Sequence, residues 1–240
     1  MAGELYQMKN NLFKWKHFSK DIILLCVRWY LKYSLSYRDL EEMMMERGIE
    51  VTHTTILRWT HQYSPIIEER LRRHIKLTND SWQMDETYIK IKGKNAYLYR
   101  VVDSAEKTID FYVSEHRDKA AARKFFKKAL NANHTQRLRI VTTDKYRATG
   151  IAFIEEQYYG DISCVTEHRM CQYHNNIVEQ DHRFIKKKIN PMLGFKARAS
   201  AEKTIAGIEM IHMIRKGQIE GIRCVQTEVQ GINKIMSEAV

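Results

Sequence analysis

The sequence predicts a mixed α/β domain, preceded by an all-helical segment and followed by a C-terminal helix. Three observations predict it. Apolar residues recur with the helical period over the first eighty positions. From Ser81 the period drops to two, as in a half-buried strand. Beyond that, strand-like and helix-like stretches follow in the order β-β-β-α-β-α-β-α, a meander feeding parallel strands through helical crossovers. The 240 residues divide on this basis into three parts. Residues 1–76 form a helical arm and a helix-turn-helix, 77–198 the mixed-sheet domain, and 199–240 a helical extension.

Each helical element has a local cause. Phe18 to Tyr33 carries Ile22, Ile23, Cys26, Val27, Tyr30 and Leu31 on one stripe. Ser36 with Asp39 three residues on forms an acidic variant of the capping box, starting a helix through Leu40 and Met44 that Gly48 stops. Thr52 caps a third helix that turns Ile56, Trp59 and Tyr63 inward, with Pro65 just beyond it. A helical hairpin has this shape, and so does a helix-turn-helix. The polar and basic His53, Thr54, Thr55 and Arg58 at the start of the third helix favour a DNA reader, because that end would enter a major groove.

The sheet elements follow. In Ser81–Ile91, Trp82, Met84, Glu86 and Tyr88 alternate with Gln83, Asp85, Thr87, Ile89 and Ile91. Lys92-Gly93-Lys94-Asn95 is a turn, and Tyr97–Val102 and Thr108–Val113 complete the meander. A helix over Arg117–Leu130 precedes a β-branched strand, Leu138–Thr143, that ends at Asp144. A helix around Ile151–Tyr158, a short strand over Asp161–Val165 and a helix from Asn175 to Asn190 come next. Ser200–Ile214 is the amphipathic helix of the extension.

Composition narrows the function classes. Hydrophobic residues at 44% supply a core and exclude wholesale disorder. The net charge of +11 makes a polyanion the leading partner. The excess is densest late in the chain: residues 181–240 carry 11 basic and six acidic groups. The longest early apolar run, Ile22–Val27, is shorter than a signal-peptide core or a membrane span, which gives the expectation of a cytoplasmic protein without membrane association, nucleoid-associated when acting. Four scattered cysteines fit a reducing compartment. Cys164, His168, Cys171 and His174 are zinc-ligand types, yet they lack the long loop that usually separates two ligand pairs.

Three carboxylates stand out. Asp85 lies in the first strand, Asp144 at the C-terminal end of the fourth, and Glu179 opens the last helix of the sheet domain. If the first and fourth strands are neighbours, all three converge at one sheet edge, where open α/β sheets place ligands. Carboxylates so placed repel one another unless a cation sits among them, and all-oxygen ligands select Mg²⁺, with Mn²⁺ as substitute. Acidic residues at strand ends and helix starts also occur for purely local reasons, and period two does not choose between Asp85 and Glu86. Glu179, Arg183 and Lys186 fall on one helix face, a carboxylate beside two cations, which suits a phosphate backbone. Lys187 and Lys188 extend that basic run.

At these residues the chain resembles bacterial insertion-sequence transposases with a DDE triad, most closely the IS-six family. The resemblance runs from Phe13-Lys14-Trp15-Lys16-His17-Phe18 through Leu35–Leu40, Thr54–Trp59, Asp85–Gly93 and Tyr97–Arg100 to Met192–Lys196. It is strongest at Asn175-Asn176-Ile177-Val178-Glu179-Gln180-Asp181-His182-Arg183-Phe184-Ile185-Lys186. It implies an RNase H-like catalytic domain behind a helix-turn-helix, with Asp85, Asp144 and Glu179 as catalytic and metal-binding residues. It implies Mg²⁺-dependent cleavage at terminal inverted repeats of double-stranded DNA and joining of the freed 3′-hydroxyl to target DNA, giving cointegrates. It also implies a homodimer or larger assembly. Asn95 stands where relatives often carry Trp, and Tyr146 to Tyr173 matches the family poorly. The competing function is a catalytically silent, transposase-derived DNA-binding protein.

Overall fold

The computed structural model describes residues 12–14, 16–171 and 176–237. The chain forms two compact units: residues 1–74 together with 203–240, and residues 75–202. The helical extension expected over 199–240 is thus grouped, from Lys203 on, with the N-terminal helices. Among the described residues, no helix is long and apolar enough to cross a membrane.

The helical unit is built on α1 (Lys20–Lys32), α2 (Tyr37–Met45) and α3 (His53–Arg72). Its caps follow the expected chemistry. The Ser36 hydroxyl accepts from Asp39 N–H at 3.1 Å while the Asp39 carboxylate accepts from Ser36 N–H at 2.7 Å. Thr52 caps α3 by accepting from Thr55 N–H. The third helix does not stop before Pro65 but runs through it to Arg72. Proline forfeits one backbone bond, and burial of Ile67 and Leu71 beyond it outweighs that loss. The C-terminal segment adds the later part of α7 (Arg198–Arg215) and α8 (Val225–Ile235). A Cβ at Gly207 would lie 2.7 Å from Leu31 Cδ1 and 2.8 Å from Ser64 Cβ, so only glycine permits this approach of α7 to α1 and α3. The α8 residue Glu228 is buried between Arg28 at 3.0 Å and Lys32 at 2.6 Å.

The sheet unit contains β1 (Ser81–Ile91), β2 (Lys94–Asp103), β3 (Thr108–Ser114), α4 (Lys119–Leu130), β4 (Ile140–Thr143), α5 (Arg147–Tyr158), β5 (Glu167–Met170) and α6 (Asn176–Ile189). The strand order is β3-β2-β1-β4-β5, antiparallel across the meander and parallel from β1 through β4 to β5. This is the element order expected from the sequence, and β1 and β4 are indeed neighbours. One strand was misplaced: Asp161–Val165 forms turns, and the fifth strand is Glu167–Met170. Ile162 is buried by packing in the core rather than by pairing, whereas the polar Glu-His-Arg-Met stretch at the sheet edge needs only its backbone bonds to β4. Helix α8 was not foreseen.

The two faces of the sheet differ, and that difference positions the site. One face carries Trp82, Met84, Tyr99 and Val101 against Phe125 and Phe126 of α4. On the other face, Arg100 of β2 is fully buried and pairs with Asp181 of α6 at 2.6 Å. The β1–β4 ladder covers only Ser81–Gln83 against Ile140–Thr142. Past Gln83, therefore, β1 no longer pairs with β4, and a notch opens where β4 ends.

Candidate active site

The notch collects the carboxylates. In the β1–β2 register, Asp85 lies opposite Arg100, and so on the α6 side, while Glu86 lies opposite Tyr99 on the α4 side. Asp144 follows the last residue of β4 and is reached from both faces. Ligand oxygens of Asp85, Glu86 and Asp144 all lie within 4.8 Å of one another. Period two had set Asp85 and Glu86 apart as alternatives; the open end of the ladder brings both to Asp144.

Arg117 completes the cluster and escaped sequence reasoning. It lies between β3 and α4, just before Asp118, whose side chain caps α4 at Ala121 N–H. Its Nε donates to Glu86 Oε1, and its second guanidinium arm donates to Asp144 Oδ2 at 2.8 Å. Tyr146 holds it from behind: the guanidinium sits 3.9 Å from the ring centre, and the Tyr146 hydroxyl donates to the Arg117 carbonyl at 2.8 Å. The other Asp144 oxygen accepts Tyr146 N–H at 3.0 Å. No spacing rule links residue 117 to residues 86 and 144, and nothing in the sequence signalled it.

The electrostatics register crowding. Burial, reinforced by the charges of Asp144 and Glu179, pushes the Asp85 carboxyl up to about 6. Burial, followed by the charge of Asp144, pushes Glu86 up to about 7 in spite of Arg117. His182 Nδ1 is 3.8 Å from Asp85 Oδ2. Its own burial, with the charges of Arg100 and Lys186, depresses it to about 3, so it is a neutral neighbour and not a counter-ion.

Glu179 stands apart from the tight group. It is exposed in the first turn of α6, one turn before His182, and its charge is felt at Asp85. Among the described residues, the set of acidic or imidazole groups close enough to share an ion contains Glu86 and not Glu179. Arg183, Lys186 and Lys187 are exposed along α6, whereas Lys188 is buried and is pushed down to about 8 by that burial. Lys188 therefore lies off the basic face assigned to it from the sequence. In the helical unit, Thr54 and Arg58 are exposed, Thr55 is half-buried, and His53 bonds Glu41 at 2.7 Å. Of the cysteine–histidine group, Cys164 is exposed and His168 is stacked on Phe153 with its Nε2 on the Thr143 hydroxyl. His174, like Asn175, lies outside the described residues.

Fold and site define a mixed-sheet domain with a carboxylate cluster where parallel strands end, joined to a helical unit. The chain belongs to the DDE transposase family: the family DDE_Tnp_IS240, a DDE domain, matches residues 79–218. It is 36% identical over 210 residues to the transposase for insertion sequence-like element IS431mec of Staphylococcus aureus strain Mu50, covering 86% of this chain and 89% of that one. The transposase for insertion sequence element IS257 in transposon Tn4003, also of Staphylococcus aureus, matches with the same identity and coverage. Among solved structures, the catalytic core of HTLV-2 integrase in its trimeric magnesium form aligns with a TM-score of 0.43 at 19% identity, over 55% of this chain and 84% of that one.

Proposed function

We propose that this protein is the transposase of an IS-six-type insertion sequence, cutting the element ends and joining them to target DNA. One observation carries the reading above all. Asp85 and Asp144, far apart in sequence, meet where the parallel ladder between β1 and β4 ends, in a chain whose relatives are named transposases. In this reading they are the first two catalytic carboxylates, and Glu179 on α6 is the third.

The donor set fits a hard divalent cation. Asp85, Glu86 and Asp144 offer only oxygen ligands, and burial, with the neighbouring carboxylate charges after it, raises the proton affinities of Asp85 and Glu86. Mg²⁺, or Mn²⁺ in its place, would supply Lewis-acid activation of a phosphodiester there. Asp85 and Asp144 would hold the ion, with Glu179 reaching in from α6. Arg183, Lys186 and Lys187 would hold DNA phosphates along the exposed face of that helix. In cleavage, a water oxygen bonds to phosphorus and the element's 3′-oxygen leaves as a hydroxyl. In joining, that hydroxyl attacks a target phosphodiester and the target's own 3′-oxygen leaves, so one bond forms as one breaks. Thr54, Thr55 and Arg58, with His53 beside them, would read terminal-repeat bases. Two ends must be held together, so the working form would be a homodimer or larger, acting in the cytoplasm on the nucleoid.

The test is a joining assay with a labelled terminal-repeat duplex, a target plasmid and Mg²⁺. Wild type is expected to give joined products, and Asp85→Ala and Glu179→Ala to lose them by about a thousandfold or more while still binding the duplex. Duplex binding without any joining by wild type would replace this reading with the silent DNA-binding protein.

A further inference from the structure

We infer that Arg117 is the resident counter-cation of the carboxylate cluster, a positioning residue that a divalent ion must compete off Asp144. The inference deepens the proposed function and rests on its reading of Asp85 and Asp144 as metal-binding. Its geometric basis is independent of that reading. One guanidinium bridges Glu86, on the α4 face of the sheet, and Asp144, at the end of β4. Both oxygens of Asp144 are thereby engaged, one by Arg117 and the other by Tyr146 N–H.

Arg117 is prepared for this task from its own side. Its charge rests on the Tyr146 ring and its carbonyl accepts the Tyr146 hydroxyl, so its placement does not depend on the carboxylates alone. A guanidinium suits the position because separate N–H groups of its planar fork face the two carboxylates, Nε toward Glu86 and the second arm toward Asp144. The Glu86 side chain is only 4% exposed, so its contact with the Arg117 guanidinium is made largely out of water. Arg117 is itself 26% exposed, so it can turn toward solvent or a DNA phosphate when Asp144 takes another partner. The cluster then keeps its shape before the ion arrives, at the cost of weaker ion binding.

The experiment is calorimetric titration of Mn²⁺ into the full chain without DNA, comparing wild type, Arg117→Gln, Arg117→Lys and Asp85→Asn. Because competition by a charged group is removed, Arg117→Gln is expected to bind Mn²⁺ about tenfold more tightly, and Arg117→Lys to stay within about twofold of wild type. Without metal, Arg117→Gln should melt below wild type, and saturating Mn²⁺ should close the gap. A merely structural arginine would lower affinity when removed, and an arginine that serves only DNA would leave it unchanged; either result overturns the inference. Should Arg117→Gln fail to fold, Tyr146→Phe decides: it keeps the ring, removes only the hydroxyl bond to Arg117, and should tighten Mn²⁺ binding by about twofold. Unchanged or weaker binding by that variant overturns the inference as well. Heats of wild type indistinguishable from those of Asp85→Asn would instead sink the metal reading, and the competition with it.

Discussion

The two units each bury a cluster of charge, and the two clusters are balanced in opposite ways. In the helical unit, one carboxylate, Glu228, meets two cations, Arg28 and Lys32, and all three side chains are at most 10% exposed. In the sheet unit, three carboxylates cluster and one guanidinium pairs with two of them, Glu86 and Asp144. The first arrangement is saturated and ties α8 to α1. The second is short of positive charge; burial, with carboxylate repulsion after it, raises the proton affinities of Asp85 and Glu86. Folding alone would favour correcting such an imbalance. Under the proposed function, a bound divalent cation would correct it.

The two clusters should therefore respond to neutralisation with opposite signs. Glu228→Ala leaves Arg28 and Lys32 buried without their shared partner, and should cost about 3–5 kcal/mol in urea denaturation. A loss below about 1 kcal/mol would mean the helical cluster is not saturated in the sense described. Asp85→Asn should instead stabilise the metal-free protein. In the folded state Asp85 is raised to about 6, above its ordinary value of 3.8, so its favourable contribution is complete only below the ordinary value and is lost as pH rises to about 6. At about 1.4 kcal/mol per pH unit, the asparagine variant should gain at most about 3 kcal/mol near neutrality and nothing below the ordinary carboxylate range. A stability difference that does not change with pH would break the comparison at its sheet half.

Legibility in the sequence follows the same divide. Features set by local chemistry were visible: the Ser36–Asp39 box, the Thr52 cap, the meander, and the strand ending at Asp144. Features set by remote partners were not. Helix α8 carries Glu228, which looks like surface charge until Arg28 and Lys32, about two hundred residues away, are seen beside it. Arg117 looks like an ordinary cation at a helix start. Period two could not choose between Asp85 and Glu86, because the answer depends on where β4 stops pairing, a property of the sheet and not of β1. Pro65 misled for a related reason: its local penalty is plain in the sequence, and the burial that outweighs it is not.

A smaller effect tests the unsaturated cluster from the ligand side. Mn²⁺ at tenfold over its dissociation constant stabilises a folded site by about 1.4 kcal/mol, readable as a rise in melting temperature. The rise should occur in wild type, persist in a protein weakened by Glu228→Ala, and vanish in Asp85→Asn. A rise retained in Asp85→Asn would place the ion elsewhere and detach the charge shortage from any role.

The smallest effect isolates what makes either cluster matter. Arg169 and Glu167, on β5, form an ion pair at 2.6 Å, the same separation as Lys32 and Glu228. The β5 pair is about half exposed on both sides, so water and salt already satisfy each charge. Arg169→Ala should leave stability nearly unchanged, and the little it does should fade with added salt. Distance is held constant between the two pairs while burial differs, so this variant separates the two causes. A loss approaching that of Glu228→Ala would show that close pairing suffices, and the contrast between the saturated and unsaturated clusters would then owe nothing to their removal from water.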